Sequence, residues 1–486
     1  MKFLILTENS NGTWSYLHYR SLGSHEIKKR VMRRGYPAHV IEWFTYWNQD
    51  DLKKVIEKYF EGENEPVIAT STPFGNTDLE KLESVLRWAR ERFPNLKCIH
   101  GGNRAWNGDF KGLVDVVFLG RSMEMFEAWL DKKDLTEFKL QEDPLVVYNK
   151  NFKENIDTPV VPRVDYEDFY TSSDVLGFEL GAGCKFNCLF CNYELRGSKI
   201  STIADPKELH EYFKEANSKY GVTHFFASDD TVNETDAKLE TLVEAIEGLN
   251  FNPRIAAFSR LDLINGRKKQ LALYKRINFN SLFFGLESFN PEVSKIIRKK
   301  SGIEDIKGIL KTFRQECPDT FTTGAIMVGL PKDSKESIRE NLDIVIRDKL
   351  IDAINIFPLD IFQAKNHHDE FFHSDLERDY QKYGYRYKDI YETGNPNAHL
   401  AVWENDWIDA GEANIFSRQM INHCTDNGMS VLTHLEYNGL NAQKLIRNKN
   451  YVKKRNILHQ QGMMISTSLK QKYIQKKLEY FGITKS

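Results

Sequence analysis

The repeated alternation of short apolar strands with amphipathic helices is the feature that most constrains how this chain folds. In residues 1–130, apolar or β-branched runs are separated by helical patterns, for example Leu52, Val55 and Tyr59 on one predicted helix face. Parallel strands need such crossover helices, so the pattern predicts a doubly wound parallel sheet of the α/β class. The predicted strands are Lys2–Thr7, Ala38–Phe44, Pro66–Ser71, Leu96–His100 and Val114–Gly120.

The alternation resumes later in the chain and predicts a second α/β domain. Residues 131–174 are charged and contain Pro144, Pro159 and Pro162, which indicates a linker. Strand and helix patterns then alternate over residues 175–361, which predicts a partial (β/α)6 barrel. Its strands are expected at Leu176–Leu180, Val222–Ala227, Arg254–Phe258, Ser281–Gly285, Thr322–Val328 and Ala353–Pro358. Residues 362–486 are expected to form an α-rich C-terminal extension with a basic tail.

Three of the six cysteines, Cys184, Cys188 and Cys191, directly follow the first predicted barrel strand. Thiolates at this spacing are typical of a metal or iron–sulfur site. A closed zinc site or 4Fe-4S cluster takes four protein ligands, so three leave one position open for a substrate or cofactor. The alternative is three apolar thiols on one helix face. The preceding segment Leu180–Gly183 contains two glycines and disfavours a continuous helix, so we favour the metal site.

The composition excludes a fibrous or disordered chain, since 41% of the residues are hydrophobic and 28% are charged. No apolar run approaches the roughly 18 residues of a membrane span, and the apolar start is too short for a signal peptide. We therefore expect a cytoplasmic protein without membrane contact. The other cysteines, Cys98, Cys317 and Cys424, lie far apart, which indicates neither a disulfide framework nor an auxiliary cluster.

The charge distribution singles out the C-terminal tail. A net charge of −2 argues against a globally basic nucleic-acid binder. The segment Asn441–Ser486 is the exception, because it is rich in Lys and Arg and Glu479 is its one acidic residue. Such a segment suits a phosphate backbone, but a solvated basic helix is the interpretation that we favour.

The cysteine loop, with aromatic Phe190 just before its last cysteine, resembles the cluster motif of the radical S-adenosylmethionine (SAM) superfamily. The resemblance implies a 4Fe-4S cluster whose unique iron binds the amino and carboxylate groups of SAM, with Phe190 near the adenine. One electron from the cluster then cleaves SAM to a 5'-deoxyadenosyl radical, which removes a hydrogen from a small-molecule or peptide substrate. An external low-potential electron donor, such as flavodoxin or ferredoxin, is implied as well.

Two further strand ends supply candidate contacts for the polar end of SAM. Asp229 and Asp230 follow the second barrel strand, where the superfamily places the motif that holds the SAM amino group. Carboxylates accept hydrogen bonds from an ammonium, and because adjacent side chains point apart we expect one of the two to do so. A capping role ahead of the predicted helix Asp236–Ile246 is the alternative. Arg260 follows the third strand and suits a bidentate pair with the SAM carboxylate, with a surface salt bridge as the alternative.

The next two strands supply candidate contacts for the nucleoside. The fourth strand ends in Gly285-Leu286-Glu287-Ser288, which resembles the Gly-x-Glu-Ser ending of the family. The resemblance implies that Glu287 accepts hydrogen bonds from the ribose hydroxyls, and Gly285 allows the backbone to approach closely. In the fifth strand, Gly324–Pro331 is similar to a family motif in which Ile326 packs on the adenine. Simple burial in the strand core is the alternative for Ile326.

The N-terminal region resembles the cobalamin-binding domain of one branch of the superfamily. The similarity lies in the strand order, the Gly101-Gly102 turn and the segment Val114–Arg121. The Asp-x-His-x-x-Gly signature that supplies a cobalt ligand is absent, and Glu8–Gly12 stands in its place. The sequence therefore leaves cobalamin binding open, with a vestigial or substrate-binding domain as the alternative.

We therefore expect a radical SAM enzyme, with cobalamin-dependent methyl transfer as one open outcome. Two alternatives differ in their chemistry. A tRNA methylthiotransferase requires three more cluster cysteines in its N-terminal domain, where this chain has only Cys98. A non-catalytic metal-binding scaffold would hold zinc in place of iron and sulfide.

Overall fold

The structure is a computed structural model, and two compact units make up the chain. It describes residues 1–8, 19–71, 79–102, 112–149, 159–193, 195–198, 202–264, 268–299, 302–364, 373–391, 398–439 and 451–484. The first unit comprises Met1–Gly177, Lys214–Val222 and His459–Ser486. The second comprises Phe178–Phe213 and Thr223–Leu458.

A seven-stranded sheet with the order β2-β1-β3-β4-β5-β7-β6 forms the first unit. Its strands are β1 (Lys2–Thr7), β2 (Ala38–Glu42), β3 (Pro66–Ser71), β4 (Lys97–Gly102), β5 (Val116–Leu119), β6 (Lys139–Glu142) and β7 (Leu145–Val147). All neighbours pair in parallel except β6 and β7. The helices are α1 (Leu22–Arg33), α2 (Gln49–Tyr59), α3 (Leu79–Arg92) and α4 (Met123–Leu130). The predicted doubly wound sheet is confirmed, and its order reverses between β1 and β3.

Helix α2 shows how the sequence pattern produces these elements. Asn48 caps the helix by accepting hydrogen bonds from the backbone of Asp50 and Asp51. The apolar positions of its repeat are all buried, as the spacing predicts; they are Leu52, Val55, Ile56 and Tyr59. The helix therefore covers the sheet with one face and leaves its charged face to solvent.

Residues 131–174, which we expected to be a linker, contribute β6 and β7 to the sheet. Strand β6 has the sequence Lys-Leu-Gln-Glu, is partly exposed and ends the sheet. Charged, short edge strands of this kind protect a sheet against further pairing, and they lack the apolar run by which a buried strand is recognised.

The second unit is built on β11 to β15 of a six-stranded sheet with the order β15-β14-β13-β12-β11-β8, whereas only the last residue of β8, Phe178, belongs to this unit. These strands are β8 (Val175–Phe178), β11 (His224–Ala227), β12 (Arg254–Ser259), β13 (Ser281–Glu287), β14 (Phe321–Val328) and β15 (Ala353–Pro358). A two-stranded pair, β9 (Gly181–Ala182) and β10 (Thr202–Ile203), follows β8. The intervening helices are α5 (Pro206–Tyr220), α6 (Asp236–Ile246), α7 (Lys268–Ile277), α8 (Pro291–Ile296), α9 (Ile303–Glu316) and α10 (Lys335–Arg347). Pairing is parallel from β11 to β15, which agrees with the predicted partial barrel.

The C-terminal region contains the expected helices together with an antiparallel sheet that the sequence did not predict. The helices are α11 (Asp375–Arg378), α12 (Ala410–Asp426), α13 (His434–Gly439) and α14 (Tyr451–Tyr480). The sheet has the order β16-β18-β17, with β16 (Phe362–Ala364), β17 (Arg386–Tyr391) and β18 (Ala398–Glu404). Strand β17 is largely exposed and carries charges, so its apolar pattern is weak.

The basic tail is only partly a solvated helix. Within the described part of α14, Lys472 and Lys476 are exposed, whereas Lys470 and Lys477 are fully buried in the first unit. Tyr473 lies between them and accepts a hydrogen bond of 3.0 Å from the backbone N–H of Glu42. The last turns of α14 therefore pack on the first unit by buried polar contacts. Among the helices that the structure describes, none has both the length and the apolarity to span a bilayer.

Candidate active site

The cysteine loop lies directly after β8 and β9 at the start of the second unit. Residues 183–193 contain no helix, and Gly183 has a φ of +89°, a conformation that side chains disfavour. Cys184 is buried, while Cys188 and Cys191 are half-buried. The backbone N–H of Cys191 donates to the carbonyl of Cys188 at 3.1 Å. The loop geometry excludes the alternative in which the three thiols share one helix face.

The thiols of Cys184 and Cys191 differ from ordinary surface cysteines in their acidity. Burial raises the pKa of the Cys184 thiol to about 11 and that of Cys191 to about 12, and the neighbouring Cys188 acts in the same direction on both. Free thiols of this kind stay protonated near neutral pH, and binding to a metal releases their protons. The thiolate form of these two donors therefore depends on a bound cation.

The number of donors in the loop bears on the kind of centre that it could hold. A closed zinc site takes four protein ligands, whereas a 4Fe-4S cluster held by three cysteines keeps one iron open. The loop offers three thiols, Cys184, Cys188 and Cys191, which fits a three-cysteine cluster and is one donor short of a closed zinc site.

Arg260, which follows β12, contacts the cysteine loop directly. Its Nη1 donates to the Sγ of Cys188 at 3.1 Å. The guanidinium is held by both carboxylate oxygens of Asp262, at 3.0 and 2.7 Å, and lies over the ring of Phe186 at 4.0 Å. Arg260 thus forms a salt bridge with Asp262 that is largely buried, and it places a positive charge beside a cysteine sulfur.

The two adjacent aspartates after β11 have different environments. Asp229 is 3% exposed, and both of its oxygens accept backbone N–H bonds, from Leu180 and Gly181, each at 2.7 Å. Asp230 is exposed. The side chains point apart as expected, and Asp229 supports the chain that leads into the cysteine loop.

A third group of contacts lies at the end of β13. Glu287 is buried with a φ of +63°, and its Oε1 accepts from the Nζ of Lys299 at 2.9 Å. Lys299 also donates to the carbonyl of Gly285 at 2.8 Å and lies 5.9 Å from the ring centroid of Phe190. Ile326 pairs in register with Glu287 across β13 and β14 and is fully buried. Phe190, Gly285 and Glu287 therefore all lie next to the side chain of Lys299.

Sequence reasoning missed Lys299, Phe186 and Lys238, the last of which pairs with Asp229. Phe186 could have been identified from its position in the sequence, because an aromatic residue inside a cysteine loop suits stacking on a cation. Lys299 and Lys238 look like ordinary surface lysines in the sequence. Their burial follows from partners that are distant along the chain.

The fold and the arrangement of this site together indicate a class of protein. A parallel partial barrel carries a three-cysteine loop after its first strand, and successive strand ends supply Asp229, Arg260 and Glu287 to its surroundings. Residues 178–345 match the family model described as the Radical SAM superfamily. The match covers the domain that carries the cysteine loop, and a radical SAM domain implies a 4Fe-4S cluster and SAM as its cofactors.

Comparisons with solved structures extend the likeness to the N-terminal domain. The radical SAM methyltransferase TsrM from Kitasatospora setae, solved with cobalamin and a [4Fe-4S] cluster, aligns with a TM-score of 0.65 and 11% identity over 95% of this chain and 99% of that chain. The cobalamin-dependent SAM radical enzyme OxsB, solved with aqua-cobalamin and SAM, gives a TM-score of 0.61 and 13% identity over 99% of this chain and 76% of that chain. The N-terminal domain therefore has a cobalamin-binding-like fold.

One sequence relative is an uncharacterised methyltransferase of Pyrococcus horikoshii. It is 24% identical over 245 residues, which cover 48% of this chain and 49% of the relative. The chain thus spans about half the length of this relative.

Proposed function

We propose that this enzyme uses SAM to generate a 5'-deoxyadenosyl radical, which abstracts a hydrogen atom from its substrate. One arrangement carries the proposal. The three-cysteine loop follows the first barrel strand, and the ends of the next three strands supply Asp229, Arg260 and Glu287 around it. Carboxyl ends of barrel strands are where catalytic groups collect.

The roles of the surrounding side chains follow from their environments. We assign the SAM ammonium to Asp230, because both oxygens of its neighbour Asp229 are already occupied by backbone N–H groups. Arg260 is assigned to the SAM carboxylate, since its guanidinium already lies beside Cys188. Its planar, doubly anchored guanidinium is suited to hold an anion in one orientation.

Glu287 is assigned to the ribose hydroxyls, with Phe190 and Ile326 next to the adenine. The support for this assignment is that Lys299 links Glu287, Gly285 and Phe190 through contacts of 2.9, 2.8 and 5.9 Å. The pair Lys299–Glu287 fixes the carboxylate, so the nucleoside meets a preorganised acceptor.

We further propose that the reaction is coupled to cobalamin-dependent methyl transfer. The names of TsrM, OxsB and the Pyrococcus relative support this, together with the glycine turn that ends β4. Gly102 has a φ of +120° and no side chain, which leaves room for a bulky cofactor at the carboxyl edge of the sheet. The Asp-x-His-x-x-Gly signature is absent from the sequence after β1, where Glu8 accepts a hydrogen bond of 3.3 Å from the backbone N–H of Thr45.

The direct test of the site is its metal content. Protein purified without oxygen and reconstituted with iron and sulfide should contain about four irons and four sulfides per chain. Adding SAM to the reduced protein should change the electron paramagnetic resonance (EPR) spectrum of the cluster. Cys188→Ala should lose the bound iron and sulfide and the EPR response to SAM, while Cys317→Ala, which lies outside the loop, should keep both. Zinc without sulfide in the intact protein would contradict the proposal, and corrinoid analysis of the same sample decides the cobalamin question.

A further inference from the structure

Lys238, in the first turn of α6, is buried between two carboxylates. Its Nζ lies 3.3 Å from Oδ1 of Asp229 and 3.1 Å from Oε2 of Glu234. The three side chains are at most 1% exposed. Removing one partner from a buried ion group of this kind is strongly destabilising, because it leaves an uncompensated buried charge. The three side chains, here called the Lys238 triad, therefore act as one unit.

The two carboxylates of the Lys238 triad also bind the backbone on both sides of Cys184. Asp229 accepts from the N–H groups of Leu180 and Gly181, each at 2.7 Å. Glu234 accepts from the N–H of Lys185, the residue directly after Cys184, at 2.6 Å. The segment that presents the first cluster cysteine is thus held at its entry and its exit by the same charged group.

Gly181 shows how closely the lysine passes the loop. A Cβ placed on this glycine would lie 2.1 Å from Cε and 2.7 Å from Nζ of Lys238. Contacts under about 3 Å are not tolerated in packed interiors, so the glycine is needed for the lysine to reach both carboxylates. Gly181 and Lys238 are distant in the sequence, but the missing side chain of the glycine leaves the space that the lysine side chain occupies.

We propose that the Lys238 triad is a positioning group that fixes the backbone of Cys184 in the conformation that binds the cluster. The inference rests on the proposed radical SAM function, because it concerns the loop that holds the cluster. Polar partners that orient metal ligands typically change metal affinity by about 10–100-fold when they are removed. The triad orients its ligand through the main chain, without touching the sulfur.

Glu234→Gln is the informative variant, because the amide keeps an acceptor for Lys185 and removes the charge that pairs with Lys238. Glu244→Gln makes the same change at an exposed position of α6 and serves as the control. With a competing iron chelator, we expect Glu234→Gln to lose cluster iron at about tenfold lower chelator concentration than the wild type. Glu244→Gln should match the wild type.

A second measurement uses cluster-free protein and distinguishes positioning from general stability. Alkylation of Cys184 should be faster in Glu234→Gln and in Lys238→Met than in the wild type, while alkylation of buried Cys317 should keep its rate. Equal acceleration at both cysteines would show that the triad only stabilises the fold and would overturn the proposal. Unchanged rates and unchanged iron retention would overturn it too. Failure of the radical SAM function itself would show separately, as a loaded wild type that does not cleave SAM.

Discussion

At the scale of single residues, Arg260 is the group most closely tied to the proposed chemistry. It donates to Cys188 Sγ, and Asp262 and Phe186 hold it there. Hydrogen bonds and positive charge near cluster sulfurs favour the reduced state and raise the reduction potential. Under the proposed function, Arg260 thereby raises the potential of the cluster that would supply an electron to SAM.

Arg260→Gln should lower the reduction potential of the cluster. A charged hydrogen bond of about 1.5 kcal/mol corresponds to roughly 60 mV for a one-electron couple. Redox titration followed by EPR measures the shift. Arg276→Gln, which changes an exposed arginine of α7, should leave the potential unchanged. A potential that is the same in both variants and in the wild type would refute this role of Arg260.

Substitution by alanine at Gly285 and at Gly308 should change the free energy of unfolding in opposite directions. A Cβ at Gly285 would lie 2.4 Å from Glu287 Oε1 and 2.7 Å from Lys299 Nζ, whereas a Cβ at Gly308 meets nothing within 4 Å. Gly285→Ala should therefore destabilise the second unit by about 1–3 kcal/mol through overpacking. Gly308→Ala, inside α9, should stabilise it by about 0.5–1 kcal/mol. Denaturant unfolding measures both, and a stabilising Gly285→Ala would contradict the geometry.

Single residues also show which parts of the candidate site could not be predicted from the sequence. The three cysteines were singled out because their spacing is a local signal, and the residues at the strand ends were singled out through the family resemblance and the order of the strands; their roles stay predictions. Lys238 and Lys299 were not found, because a lysine near a helix looks solvent-exposed in the sequence. Their roles depend on Asp229, Glu234 and Glu287, which folding alone brings beside them.

At the scale of elements, helix α14 is attached to the first unit by buried charges. Lys477 is fully buried, with its Nζ 2.6 Å from His39 Nε2 and 2.6 Å from the carbonyl of Glu167. Burial lowers the pKa of Lys477 to about 7, against the opposing attraction of Asp168. Burial and the neighbouring Lys477 also lower the pKa of His39.

This buried lysine makes stability depend on pH. An unfolded lysine binds its proton below about pH 10.4, whereas folded Lys477 binds it only below about 7. Between these values the unfolded state holds more protons, so the free energy of unfolding rises as the pH rises. Lys477→Met should flatten this rise between pH 7 and 9 and increase stability at pH 7. Buried Lys470, with a pKa lowered by burial to about 8, keeps part of the slope.

Thermal unfolding at several pH values tests the prediction, with exposed Lys476→Met as the control that should behave like the wild type. A Lys477→Met variant with the wild-type pH slope would show that the lysine is charged in the folded protein.

Elements differ in how well the sequence predicts them. The strands β1 to β5 and those of the six-stranded sheet were predicted within a few residues, since buried parallel strands are continuous apolar runs. Pro66–Ser71 and Ala353–Pro358 agree residue by residue. Strand β17 (Arg386–Tyr391), which was missed, is largely exposed and paired in antiparallel fashion, so burial leaves little mark on its composition.

At the scale of the whole molecule, the domain order matches that of cobalamin-dependent radical SAM enzymes. The likeness to TsrM and OxsB covers nearly the entire chain, although the identities of 11% and 13% show a shared fold and not a shared substrate. The radical SAM class predicted from the sequence is confirmed, and the assignment of individual SAM contacts stays a prediction.

The formation of 5'-deoxyadenosine tests the central claim most directly. Anaerobic, cluster-loaded protein should release it when SAM and dithionite are added, and Cys188→Ala should release none. Cys317→Ala should release it like the wild type, because Cys317 lies outside the cluster loop. Fully loaded wild-type protein that leaves SAM uncleaved would contradict the proposal of a 5'-deoxyadenosyl radical mechanism.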